Sequence, residues 1–180
     1  MACGGEAPAP DPDPDSSPQP PRADPEAVDG GEWTVGIVEG GPEAGPRAEP
    51  AQPTVIAART ARHAGYDRFV LEFSETGGLP PYHVEYVDRP VRACGSGNVV
   101  ELPGDGWLEI RMPGARAHDD EGQVTVGTRE DSPGLPVLLA HHLTCDFEAH
   151  VVWVLAVASP NRFRVLELSG PTRLVVDVRH

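Results

Sequence analysis

The densest set of side chains able to do chemistry is His141-His142, Asp146, Glu148 and His150, residue types that ligate zinc and related cations. A strand rises about 3.3 Å per residue, so His142 and Asp146 would lie about 13 Å apart, too far to share one ion unless the strand bulges. His141 and His142 also point to opposite faces of such a strand. The expectation is a solvated sheet face, with no metal and no cofactor. His118-Asp119-Asp120-Glu121-Gly122 lacks the alternating ligand positions and distal Glu of a calcium loop and reads as an acidic turn. Ser96 has no Gly-x-Ser-x-Gly elbow and no evident His and acid partners, and Cys94-Gly95-Ser96-Gly97-Asn98 reads as a tight turn. With each catalytic arrangement failing on spacing, the chain is expected to bind rather than to catalyse.

Binding needs less machinery. A saccharide or a carboxylate-bearing peptide would be held by aromatic faces for stacking and Arg forks for anions. Tyr66, Arg68, Tyr82, Tyr86, Arg89, Arg92 and Trp107 are the candidates. The competing reading of each aromatic residue is a core ring with its polar tip satisfied. Tyr66 with Arg68 is the preferred pair, because alternation along a strand puts them on one face with Val70 and Glu72. Asp67, Phe69, Leu71 and Phe73 then share the other.

The elements that must position these residues are short β-branched and aromatic runs separated by Gly, Pro and Asn turns, with no helical period held for three turns. Strands are predicted at 54–62, 66–74, 82–87, 107–112, 138–147, 150–159, 163–168 and 173–178. About eight strands in 127 residues imply an all-β domain over 54–180, a small sandwich or a half-closed barrel. On the fifth strand Leu143, Cys145 and Phe147 are expected on the apolar face, opposite His142, Thr144 and Asp146. Val151 to Ala158 is apolar on both faces and should be central.

Residues 1–53 differ in kind. They hold 12 of the 21 prolines, 11 of the 28 acidic residues and 2 of the 14 basic ones, a charge of −9 against −5 for the remainder. Such a stretch buries too little to offset its chain entropy, so a disordered tether is expected, with a reach of about 40 to 150 Å. The β-prone Trp33-Thr34-Val35-Gly36-Ile37-Val38 interrupts it, either as an edge strand added to the domain or as a linear motif for a partner. A net charge of −14 without clustered cations excludes non-specific nucleic-acid binding. Every basic residue is Arg.

Four stretches carry a family resemblance. His63-Ala64-Gly65-Tyr66-Asp67-Arg68-Phe69-Val70-Leu71-Glu72-Phe73 resembles the opening strand pair of the AMIN and AMIN-like domains of bacterial envelope proteins, and Pro171-Thr172-Arg173-Leu174-Val175-Val176-Asp177-Val178 resembles their closing strand. Pro81 to Val87 and Val152-Trp153-Val154-Leu155 are similar to the AMIN-like subgroup. The resemblance covers most of 54–180 and implies a β-rich, non-catalytic module that binds peptidoglycan or a wall-associated polymer. The alternative is a protein–protein scaffold of an envelope complex. Met1-Ala2-Cys3-Gly4-Gly5 looks like the trimmed end of a bacterial lipobox, which implies export and a lipid on Cys3 that anchors the chain to the outer face of the cytoplasmic membrane. An exported domain meets an oxidising compartment, so Cys94 and Cys145 are expected to pair, closing a loop worth about 4 kcal/mol by chain entropy. Buried free thiols are the other reading.

Overall fold

The computed structural model describes residues 1, 30–42 and 52–180. Cys3, and most of the stretch read as a tether, lie outside the described residues. Among those described there is no helix, and ten strands build two antiparallel sheets that do not close into a barrel. The strands are β1 (Val38–Gly40), β2 (Val55–His63), β3 (Tyr66–Phe73), β4 (Tyr82–Tyr86) and β5 (Gly106–Pro113). They continue with β6 (Glu130–Asp131), β7 (Leu138–Phe147), β8 (His150–Val157), β9 (Phe163–Leu168) and β10 (Arg173–Arg179). Eight coincide within two residues with the runs read from the sequence; β1 and β6 are the short additions.

The four-stranded sheet runs β2-β3-β10-β9 and the six-stranded sheet β1-β4-β5-β8-β7-β6. Between them lies the core. Phe69, Leu71 and Phe73 of β3 and Leu174, Val176 and Val178 of β10 meet Leu108, Ile110, Met112, Trp153 and Leu155 of the opposing sheet. These are alternate residues of each strand, as period-two burial requires. Strand β8 sits between β5 and β7, and its outward residues Val154 and Ala156 are buried as well. Asp67 ties the two sheets together, because its carboxylate accepts the backbone N–H groups of Val137 (2.7 Å) and Leu138 (3.0 Å).

Strand β7 departs from simple alternation. Its pairing with β8 shifts register between Leu138 and Ala140 and again between Leu143 and Cys145. A bulge adds a residue and reverses the facing of everything beyond it. Cys145 therefore turns to the outer side and bonds Cys94, with Cα atoms 5.2 Å apart, while Phe147, expected in the apolar set, is 61% exposed.

Residues 30–42 do not stand apart from the domain. Thr34 exchanges two backbone hydrogen bonds of 2.8 Å with Phe163 at the edge of the four-stranded sheet, and β1 then pairs with β4 at the edge of the other. The segment is a strap that joins the open edges of the sandwich. Gly40 and Gly41 allow it to seat. A Cβ on Gly40 would lie 2.2 Å from the Tyr82 hydroxyl, and Gly41, at φ +80°, approaches the Pro80 carbonyl too closely for any side chain.

Candidate functional site

The outer face of the four-stranded sheet follows from the register. One row across it reads Ala61, Arg68, Asp177, Arg164, and the next reads His63, Tyr66, Arg179. Asp177 is held by two guanidinium groups. Arg68 donates from Nε to Oδ1 (2.7 Å) and from Nη2 to Oδ2 (2.9 Å), and Arg164 donates from Nε to Oδ2 (2.9 Å). Arg68 and Asp177 are 0% exposed and Arg164 is buried. Charges on an outer sheet face are buried only if something covers them, and here aromatic rings do so. The Arg164 guanidinium lies 4.8 Å from the Trp33 ring centroid and 5.2 Å from that of Tyr66, and Arg68 lies 5.4 Å from Tyr66. These are cation–π distances, which offset part of the lost hydration.

Trp33 comes from the strap and is itself partly exposed. Its ring sits 6.0 Å from that of Tyr66, which in turn stacks on His63 at 4.7 Å with the planes 8° apart. Arg179 lies 5.3 Å from the Trp33 ring, and Arg162 donates to the Trp33 carbonyl at 3.1 Å. Both arginines are exposed, and neither has a carboxylate partner among the described residues. The whole face carries Arg59, Arg68, Arg164, Arg173 and Arg179 against Glu72 and Asp177. That face therefore carries an excess of cations in a chain of net charge −14.

The structure does not bring the seven candidate binding residues together. Tyr66 and Arg68 share the face just described, but Arg68 spends its fork on Asp177 beneath the rings, because the strap covers what alternation alone would leave wet. Tyr82 and Tyr86 are core rings with satisfied tips. Tyr82 donates to Glu167 (2.9 Å), and Tyr86 to the Asn161 carbonyl (2.7 Å) while meeting Phe163 edge-on. Burial pushes both phenols above their ordinary range. Trp107, Arg89 and Arg92 belong to the outer face of the six-stranded sheet and to residues 87–105, which cover it. Arg89 lies 4.1 Å over the Trp107 ring and donates to the carbonyls of Leu102 (2.6 Å) and Gly104 (3.3 Å). Arg92 donates to the Gly97 carbonyl (2.8 Å). Beneath them Val91, Leu102, Ala140, Val154 and Ala156 form a second apolar cluster, and the Cys94–Cys145 bond pins the cover down.

The profile of the AMIN-like domain matches residues 53–180. The chain belongs to the AMIN-like family. No curated protein and no solved structure matches it. AMIN-like domains are binding modules of the bacterial cell envelope and are generally not catalytic, and a disulfide fits an exported protein. Trp33 and the rest of the strap lie outside the matched residues.

The titratable clusters of the AMIN-like domain have structural partners. His141 lies in the core between Phe69 (4.9 Å) and Trp153 (5.8 Å), and its Nδ1 accepts the Trp153 indole N–H at 3.1 Å. Burial lowers its pKa to about 4, so the ring is neutral. His142 pairs with Glu130 across the sheet edge at 2.9 Å. Asp146, mostly buried, accepts from the Ala117 N–H, His118 and Arg129, all at 2.9 Å, and so fastens the loop before β6. Asp119 closes its own turn by accepting from the backbone of Glu121 and Gln123. Ser96 accepts from the Asn98 N–H at 3.2 Å. Among the described residues no group of three His, Cys, Asp or Glu side chains could hold a metal ion.

Sequence reasoning singled out Trp33 only within an edge strand or linear motif, and missed Arg162, Arg164, Asp177 and Arg179. A signal for one of them was present, since alternation along 173–178 sets Asp177 on one face with Arg173 and Val175, opposite the apolar Leu174, Val176 and Val178. Nothing in the sequence pointed from Trp33 to that face.

Proposed function

We propose that this protein is a non-catalytic module that binds peptidoglycan or a wall-associated anionic polymer through the outer face of the four-stranded sheet. The observation that carries the reading is the segregation of charge. Five arginines stand against two acids on that face, while the chain as a whole is strongly acidic. Wall peptides present free carboxylates, and a cationic face with exposed Arg forks complements them at close range while the remaining surface stays repelled. Export and a lipid on Cys3 would hold the module at the outer face of the cytoplasmic membrane, within reach of the wall.

Sedimentation with purified sacculi tests this. The full chain is expected to co-sediment at low salt and to be released as salt rises. Charge reversal at Arg59 and Arg179 together should move it to the supernatant, whereas Arg111→Glu on the other sheet should not. A chain that stays in the supernatant at every salt concentration ends the proposal. A second reading, a scaffold for an envelope protein, is favoured by Val35 and Ile37, which the strap leaves 58% and 61% exposed. Crosslinking from those two positions in cells should then trap one defined envelope protein.

A further inference from the structure

Within that face we infer a specific subsite, built jointly by the strap and the AMIN-like sandwich, that takes a carboxylate attached to a ring-bearing or apolar backbone. It rests on the wall-binding reading and names the group recognised. Three observations converge on it. Arg162 and Arg179 flank Trp33, are exposed, and have no carboxylate partner among the described residues. The Trp33 ring is partly exposed although Arg164 and Arg179 already lie against it, and its indole N–H has no acceptor among the described residues. The ring is also held in place. Thr34 pairs with Phe163 on one side of it, and Arg164 donates to the Gly30 carbonyl (3.0 Å) on the other.

The chemistry selects the ligand. Arg162 and Arg179 are cross-strand neighbours, the Arg179 N–H donating to the Arg162 carbonyl at 2.9 Å, and planar guanidinium forks on neighbouring residues suit a planar carboxylate through charge-assisted hydrogen bonds. The indole adds a flat apolar surface that an N-acetylated sugar ring or a short peptide backbone can cover. A polyol-phosphate chain offers nothing flat for that surface, so a phosphodiester polymer is the poorer fit. The arrangement is preorganised, because the buried Arg68–Asp177–Arg164 network fixes the floor on which Trp33 and Tyr66 rest.

The test follows the indole N–H resonance of Trp33, assigned by its loss in Trp33→Phe, in the full chain. The probe is an N-acetylated amino sugar carrying a short peptide with a free terminal carboxylate. It is compared with the same compound amidated at that carboxylate and with poly(glycerol phosphate). The free acid should shift the resonance saturably, amidation should weaken binding about tenfold, and the phosphate polymer should not move the signal. Arg179→Gln should reproduce the tenfold loss without changing the melting midpoint, which separates recognition from folding. No shift, or equal shifts with acid and amide, or a shift with the phosphate polymer, overturns the subsite. Sedimentation with sacculi keeps the two proposals apart. Wall binding by the native chain with a silent Trp33 leaves the broader reading standing and removes the subsite; a responsive Trp33 in a chain that ignores sacculi does the reverse.

Discussion

The two outer faces of the sandwich solve one problem by opposite chemistry. Each sheet is buried on both sides in its middle strands, so each needs a cover. On the six-stranded sheet the buried surface is apolar, Val154 and Ala156 under Val91 and Leu102, and the cover is fastened by a covalent bond between Cys94 and Cys145. On the four-stranded sheet the buried surface is an apolar patch of Val70, Leu166 and Val175 that ends in the charged row Arg68, Asp177 and Arg164, and the cover over that row is a strap held by backbone pairing and by rings over guanidinium groups. An apolar face under a locked cover has nothing to offer a polar ligand. A charged face under an aromatic strap keeps donors at its rim, and there binding can occur.

The largest effect should come from breaking the charged floor. Asp177→Asn leaves Arg68 and Arg164 buried beside a neutral amide, and such uncompensated burial costs about 3–5 kcal/mol. Urea unfolding should show it, against a change of less than about 1 kcal/mol for Arg59→Ala, whose side chain is half exposed where it pairs with Glu72. Equal losses in the two variants would mean that the buried network is not special.

Next in size is the locked cover. Replacing Cys94 and Cys145 by Ser opens a loop with a separation of 51 residues, which chain entropy puts at about 4 kcal/mol at most and commonly nearer 2–3. Hydrogen exchange should rise over 87–105 and stay unchanged over 30–42. Exchange rising in both segments would show that the two covers are coupled, contrary to the comparison.

Between the faces, His141 supplies a pH dependence that belongs to neither. Its folded pKa of about 4 lies below the ordinary value of 6.5, because burial disfavours the charged ring. The unfolded chain therefore binds more protons between those values. Stability is fully present above pH 6.5 and falls as pH drops toward 4, by about 3 kcal/mol at most. Protonation of Nδ1 would also remove the acceptor of the Trp153 indole N–H. His141→Asn should flatten this limb of the stability profile; a profile as steep as that of the native chain would assign it to other groups.

The sandwich was legible in the sequence because period-two patterning records which face meets the core, and Asp67-Phe69-Leu71-Phe73 and the doubly apolar β8 show that record plainly. Pattern fails where a strand changes phase. The β7 bulge moved Cys145 and Phe147, and no composition signal marks it. Half of the candidate site was legible for the same reason. Tyr66 and Arg68 do share the outer face of β3, yet whether that face is wet depends on a strap joined to it only through contacts distant in sequence. A single Trp amid proline and acid gives no hint of its partner 131 residues away, since Arg164 and Trp33 are brought together by strand pairing between segments distant in sequence.

The smallest effect makes the sharpest comparison, because each cover carries an Arg on a Trp. Arg89 stacks on Trp107 at 4.1 Å and Arg179 lies 5.3 Å from Trp33, yet the two should behave differently. Arg89 already donates to the carbonyls of Leu102 and Gly104, so its contribution is to hold the cover together. Arg89→Ala should cost about 1 kcal/mol in unfolding experiments and leave sedimentation with sacculi unchanged. Arg179 is exposed and has no carboxylate partner among the described residues, so its loss should cost little stability and much binding. If Arg89→Ala weakens wall binding as strongly as Arg179→Gln, both faces contact the polymer, and the division between an inert cover and a working one fails.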